Sequence, residues 1–147
     1  SAAERLPQHV RAERIEQREP FVHRHRRDHR AYAVGVERLS EMTCVACRRD
    51  APTVTPEEIE ELSPQIRDWE LVEVDGVPRL RRAFSFSNFA DALSFTDAVG
   101  EIAEREGHHP ELVTEWGRTT VSWWTHKIKG LHRNDFVMAA KTDRLYA

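Results

Sequence analysis

The stretch "AEREGHHPELVTEWG" sets two adjacent histidines, His108 and His109, ahead of Pro110, and "WWTHKIKG" supplies a third, His126. Neutral imidazole accepts a proton and imidazolium returns one near pH 7, so three such rings in one cleft suit acid–base chemistry. Taken singly, a histidine is more often structural or merely exposed than catalytic. Two neighbours at a helix–strand junction differ. A regular strand would send their rings to opposite faces, whereas a loop containing proline can aim both into a cleft. Glu104 stands one helical turn before His108, where its carboxylate is expected to orient that ring and favour its charged form. Asp135 opens the last helix, as a plain cap or as a site carboxylate.

A metal centre is the first chemical rival. Zinc ligands usually recur at spacings such as H-x₃₋₅-H, which bring rings onto one surface, and adjacent histidines do this poorly. The two cysteines, in "CVAC", lie some sixty residues upstream of the pair. They cannot complete a tetrahedral site alone, and no thioredoxin-like βαβ context follows them. No metal is expected, and Cys44 and Cys47 read as a peripheral thiol pair without an essential role. His132 sits at the last helix's cap position, where Asn134 is expected to take over capping.

Elements that would carry these residues are legible from Met42 onward. In "VTPEEIEEL" Thr55 is a cap, Pro56 takes the first helical position and Glu58 completes a capping box, with Val54 and Ile59 spaced as a hydrophobic staple. The helix should stop near Ser63–Pro64. Asp75–Gly76 supplies a hairpin turn in "WELVEVDGVPRLRRAFSFSN", with Leu80, Arg82, Phe84 and Phe86 on one alternation. A second helix follows, capped by Ser87 or Asn88 and stopped by Gly107, with apolar positions Phe89, Ala92, Leu93, Val99, Ile102 and Ala103, and Thr96 more weakly. Two strands joined at Gly117 come next. In the second, Thr119, Val121, Trp123 and Thr125 share the better core face, opposite Thr120, Ser122, Trp124 and His126. "NDFVMAAKTDRLY" reads as a final helix. The expectation is an α+β fold of order α-β-β-α-β-β-α, a four-stranded antiparallel sheet with helices packed on one face.

Composition narrows the function classes. A length of 147 residues suits one domain plus an extension, and a net charge of −3 gives no reason to expect nucleic acid. No apolar run is long enough to span a membrane, and two cysteines without a disulfide framework fit a cytoplasmic setting. Residues 1–41 carry nine Arg, no Lys, four His and seven acids, and "HRHRRDHRAY" reads as a solvated segment. They are expected to be an appended or over-extended leader, with a basic docking arm as the alternative. Their removal should leave folding and turnover nearly unchanged. Residues 42–147 form the domain, with thirteen basic and eighteen acidic residues for a net −5.

One longer pattern is specific. Glu104, His108-His109-Pro110, Thr125-His126, Gly130-Leu131 and Asp135, preceded by "FSFSNFADALSFTDAVGEIAE", resemble the pterin-4a-carbinolamine dehydratases from about Met42 to Tyr146. The likeness is closest to a bacterial subgroup with an amino-terminal C-x-x-C. The resemblance implies dehydration of a 4a-hydroxytetrahydropterin to quinonoid dihydropterin and water, recycling the cofactor of an aromatic amino-acid hydroxylase. It implies His108, His109 and His126 as the acid–base and substrate-binding set, with Glu104 and Asp135 as orienting carboxylates. Pro110, Trp124 and Thr125 join the expected substrate contacts, although Trp124 serves equally as cover for the sheet or a subunit contact. No cofactor is implied, and a homodimer or homotetramer is expected. Leu112 and His132 depart from the commoner family residues. The rival readings are a non-enzymatic, partner-stabilising module of the same fold and a small metal-dependent hydrolase.

Overall fold

A computed structural model describes residues 37–46 and 48–147. The leader expected over 1–41 therefore lies outside the described residues, apart from its last five, as does Cys47.

Each element begins or ends where local chemistry demands. Helix α1 (Pro56–Leu62) opens on the expected capping box: Thr55 Oγ1 accepts from the Glu58 N–H, and the Glu58 carboxylate accepts from the Thr55 N–H. Ser63–Pro64 turns it into a short 3₁₀ segment, Ser63–Gln65. Strands β1 (Glu70–Val74) and β2 (Val77–Ser85) are joined by Asp75 and Gly76, with φ of 52° and 76°. Positive φ at both central residues is what a two-residue hairpin needs to match the twist of its strands. Helix α2 (Phe89–Glu106) is capped by the Asn88 side chain, which accepts from the Asp91 N–H. Strands β3 (Glu111–Glu115) and β4 (Arg118–Trp123) lead to helix α3 (Arg133–Tyr146).

The four strands form one antiparallel sheet in the order β1-β2-β4-β3. In the central pair, Leu80 faces Trp123 and Phe84 faces Thr119. Leu80, Phe84, Thr119, Val121 and Trp123 are buried, and they meet Phe95 and Val99 of α2 and Phe136 and Met138 of α3. The fold is thus the expected α+β arrangement, and the expected core face of β4 is the observed one.

Two parts differ from the sequence expectation. The buried stripe of α2 is Ala92, Phe95, Val99, Ile102 and Ala103, while Phe89 and Leu93 are exposed. Apolar character alone could not separate these stripes. The face turned to the sheet also carries Thr96, whose hydroxyl bonds Thr114 of β3 and Thr119 of β4 at 2.6 and 3.2 Å. At the other end, core packing among the described residues includes Leu39, ahead of Met42. Leu39 is fully buried, its N–H donates to Gln65 Oε1, and the Ser40 carbonyl accepts from Lys141 and Arg144 of α3.

Candidate active site

Three chain reversals converge at one end of the sheet. The first ends α2. Gly107 takes φ 64°, and the His108 N–H folds back to donate to the Ala103 carbonyl. A left-handed residue at this position costs glycine little, and it swings the following residues off the helix axis. The second follows β4. Thr125 bridges Gly130, with its N–H donating to the Gly130 carbonyl, and His126–Ile128 forms a 3₁₀ turn between them. Third comes the start of α3, where His132 is the cap residue and Asp135 lies one turn inside.

Asp135 joins all three. It is fully buried; Oδ2 accepts from the Thr125 hydroxyl at 2.8 Å and from the His132 N–H at 2.9 Å. Its Oδ1 lies 2.6 Å from His108 Nε2. Two donors occupy Oδ2, the Thr125 hydroxyl and the His132 N–H, and Oδ1 is turned to the His108 ring. Asp135 thus engages Nε2 of His108 and leaves Nδ1 on the other edge of the ring. Its ring also stacks on Trp123, with centroids 5.6 Å apart and planes 8° from parallel. The packing and the hydrogen bond together fix the imidazole in one orientation.

His109 and His126 are held more loosely. His109 Nε2 lies 2.7 Å from Glu104 Oε1, and both side chains are exposed. The His126 ring sits 4.4 Å from that of Trp124 and is exposed to solvent. All three imidazoles and Thr125 line one cleft of about 550 Å³, together with Cys44 and Val45.

Several expected partnerships change. Glu104 bonds His109, not His108, because the reversal at Gly107 breaks the helical i, i+4 geometry on which that expectation rests. Asp135 is both cap and site carboxylate. Asn134 does not take over capping: His132 keeps that role, its Nδ1 accepting from the Asn134 N–H at 3.0 Å. Pro110 and Glu104 line a separate hollow along α2 and β3, which meets the cleft only at His109. Trp124 does not line the cleft; its ring lies under the Arg79 guanidinium at 3.8 Å and beside His126. Nor is Cys44 peripheral, since it forms part of the cleft wall.

Two residues of the cleft carry no signal in the spacing pattern. Glu106 accepts from the Cys44 N–H and pairs with Lys141, and Asn134 binds the backbone of Val45. Both act on a segment sixty to ninety residues away, which periodicity cannot reveal. Among the described residues, no three side chains of His, Cys, Asp and Glu converge to hold a metal ion. None of the helices described is long and apolar enough to cross a membrane.

Fold and cleft together define a small α+β protein whose site is built of imidazoles and carboxylates. The family of pterin 4 alpha carbinolamine dehydratases matches over residues 52–145. A relative from Nitrosococcus oceani is 60% identical over 110 residues, covering 75% of this chain and 97% of that protein. Another, from Syntrophotalea carbinolica, is 62% identical over 110 residues, covering 75% and 98%. Both carry the provisional name pterin-4-alpha-carbinolamine dehydratase. The crystal structure of a transcriptional coactivator/pterin dehydratase from Brucella melitensis superposes with a TM-score of 0.59 at 29% identity, covering 65% of this chain and 100% of that one. The chain belongs to the pterin-4a-carbinolamine dehydratase family.

Proposed function

We propose that the protein dehydrates a 4a-hydroxytetrahydropterin to quinonoid dihydropterin, recycling the cofactor of an aromatic amino-acid hydroxylase. The observation that carries this reading is the meeting of His108, His109 and His126 on one cleft, with His108 fixed from beneath by buried Asp135. Family membership supplies the substrate class, and the cleft supplies groups suited to the chemistry.

Loss of water breaks the C4a–O bond. The leaving hydroxyl takes a proton, a ring nitrogen gives one up, and its electron pair forms the new C=N bond. No electrons leave the pterin, so the step needs an acid, a base and a held ring. His108, with Nε2 held by Asp135, presents its other nitrogen with a fixed aim. His109 and His126 are exposed, so they can pass protons between the cleft and water. Positioned acid–base groups of this kind typically contribute about 10²–10⁴-fold.

The cysteine usage fits a cytoplasmic site of action. A homodimer or homotetramer would use the exposed Phe89 and Leu93 of α2 and the free edges of β1 and β3. The partner-stabilising reading keeps one support, the pairing of coactivator with pterin dehydratase in the description of the Brucella protein.

Stopped-flow measurement with freshly generated carbinolamine tests the proposal. Dehydration above the spontaneous rate should survive exhaustive chelation, because the imidazoles and carboxylates act without a metal. Activity lost on chelation and restored by one added metal would favour the metal-dependent rival. No acceleration at all would favour the partner-stabilising module.

A further inference from the structure

The segment Met42–Ala46 lies upstream of the family-defining residues 52–145, yet it walls the cleft. Its backbone is held by side chains from both long helices. Asn134 uses both ends of its amide on one residue: its Oδ1 accepts from the Val45 N–H at 3.0 Å, and its Nδ2 donates to the Val45 carbonyl at 2.8 Å. Glu106 Oε2 accepts from the Cys44 N–H at 3.0 Å, while Oε1 faces Lys141 Nζ at 3.5 Å. Met42 and Cys44 pack against the core, and Leu39 is buried at the start of the strap.

Pinning a strap in this way costs conformational entropy, which these hydrogen bonds and the packing of Leu39, Met42 and Cys44 offset. What it holds in place is Val45, an apolar side chain 62% exposed and lining the same cleft as the three histidines. To the cleft that the imidazoles line, the strap contributes Cys44, Val45 and Ala46, none of them charged. A flat heterocycle with polar edges and apolar faces suits a cleft lined in both ways.

We propose that the strap is a specificity-determining wall of the pterin site, that Val45 covers the bound ring, and that Asn134 and Glu106 are positioning residues for it. The proposal rests on the pterin reading above and deepens it. The wall's contribution is to binding, held alike in the ground state and the transition state, whereas the histidines act on the chemical step. Loss of uniform binding raises KM and leaves kcat in place.

The test uses the full chain. Steady-state dehydration of freshly made 4a-carbinolamine gives kcat and KM, and fluorescence titration with oxidised biopterin, a stable probe, gives Kd. Val45→Asp puts a charge on an exposed strap position and leaves the core untouched, so the protein folds. Asn134→Asp keeps the acceptor for the Val45 N–H but turns a carboxylate oxygen on the Val45 carbonyl. Both should raise KM and probe Kd about 5- to 20-fold, with kcat within about threefold of wild type. Glu106→Ala removes the acceptor for the Cys44 N–H and should raise KM and probe Kd in the same direction, and Glu106→Gln, which keeps an acceptor there, should bring both back towards wild type. Unchanged KM and Kd in Val45→Asp and Asn134→Asp would overturn the proposal, as would a fall in kcat at constant KM. A wild-type protein that neither binds biopterin nor accelerates dehydration would sink the pterin reading itself, and this one with it.

Discussion

At the scale of single residues, the prediction concerns His108 and His126. Replacing either with Ala should cut kcat by about 10²–10⁴-fold where that ring transfers a proton. The factor shrinks towards the lower end because this dehydration also runs without enzyme. The double variant should lose much less than the product of the two single losses, because groups acting as one unit are non-additive. His132 has a structural role, since its Nδ1 caps α3 and its N–H holds Asp135. His132→Ala should cost about 1 kcal/mol of stability through the lost cap. His132→Asn, which can cap in its place, should keep both stability and turnover. If His132→Asn lost as much kcat as His108→Ala, the division between cap and proton-transfer residues would be wrong. The cluster itself was legible because its spacing is specific. Its pairings were not, since one left-handed glycine decides whether Glu104 reaches the first histidine or the second.

Elements were legible where capping and turn chemistry are local. Thr55 and Glu58, Asp75–Gly76 and Gly107 each announce themselves within four residues, and each does what its sequence implies. Long-range choices were not legible in that way. The burial of Phe95 in place of Phe89 goes with contacts of Thr96 to threonines of two strands, and the docking of α3 on the hairpin involves Asp143 near the other end of the chain. Asp143 accepts from Trp69 Nε1 and Arg82 Nη1, joining α3 to β2 and the start of β1. Burial pushes its carboxyl above the usual range, outweighing the hydrogen bond from Trp69 and the charge and hydrogen bond of Arg82 that pull it down. The folded state then holds this proton more tightly than the unfolded chain does. Its contribution to stability is fully present below the unfolded value of about 4 and is lost as pH rises through the raised folded value. Asp143→Asn removes this titration. Urea unfolding across pH 4 to 7 should show wild type losing stability relative to Asp143→Asn as pH rises. A difference that is flat, or that grows in favour of wild type with rising pH, would show that Arg82 dominates instead.

For the whole molecule, the open question is where the folded unit begins. Composition placed the boundary at Met42, because residues 1–41 lack a core-forming pattern and the first capping signal is Thr55. The structure sets a buried leucine and three hydrogen bonds against that placement: Leu39 is sealed in the core, its N–H is taken by Gln65, and the Ser40 carbonyl is held by Lys141 and Arg144. A lone leucine in an Arg-rich stretch carries no periodicity, so the sequence could not announce it. Two truncations separate the readings. Removing residues 1–36 should leave melting temperature and turnover unchanged, as the composition of that stretch predicts. Removing residues 1–41 exposes the hole that Leu39 fills, and burial of one such side chain is worth about 1.5–3 kcal/mol. For a domain of roughly a hundred residues, each kcal/mol shifts the melting temperature by about 4–8 °C, so a fall of about 6–24 °C is expected by calorimetry. The strap would also lose its anchor, so KM should rise together with that fall. Equal melting temperatures for the two truncations would return the boundary to Met42, and a loss already present on removing residues 1–36 would give the leader a role of its own.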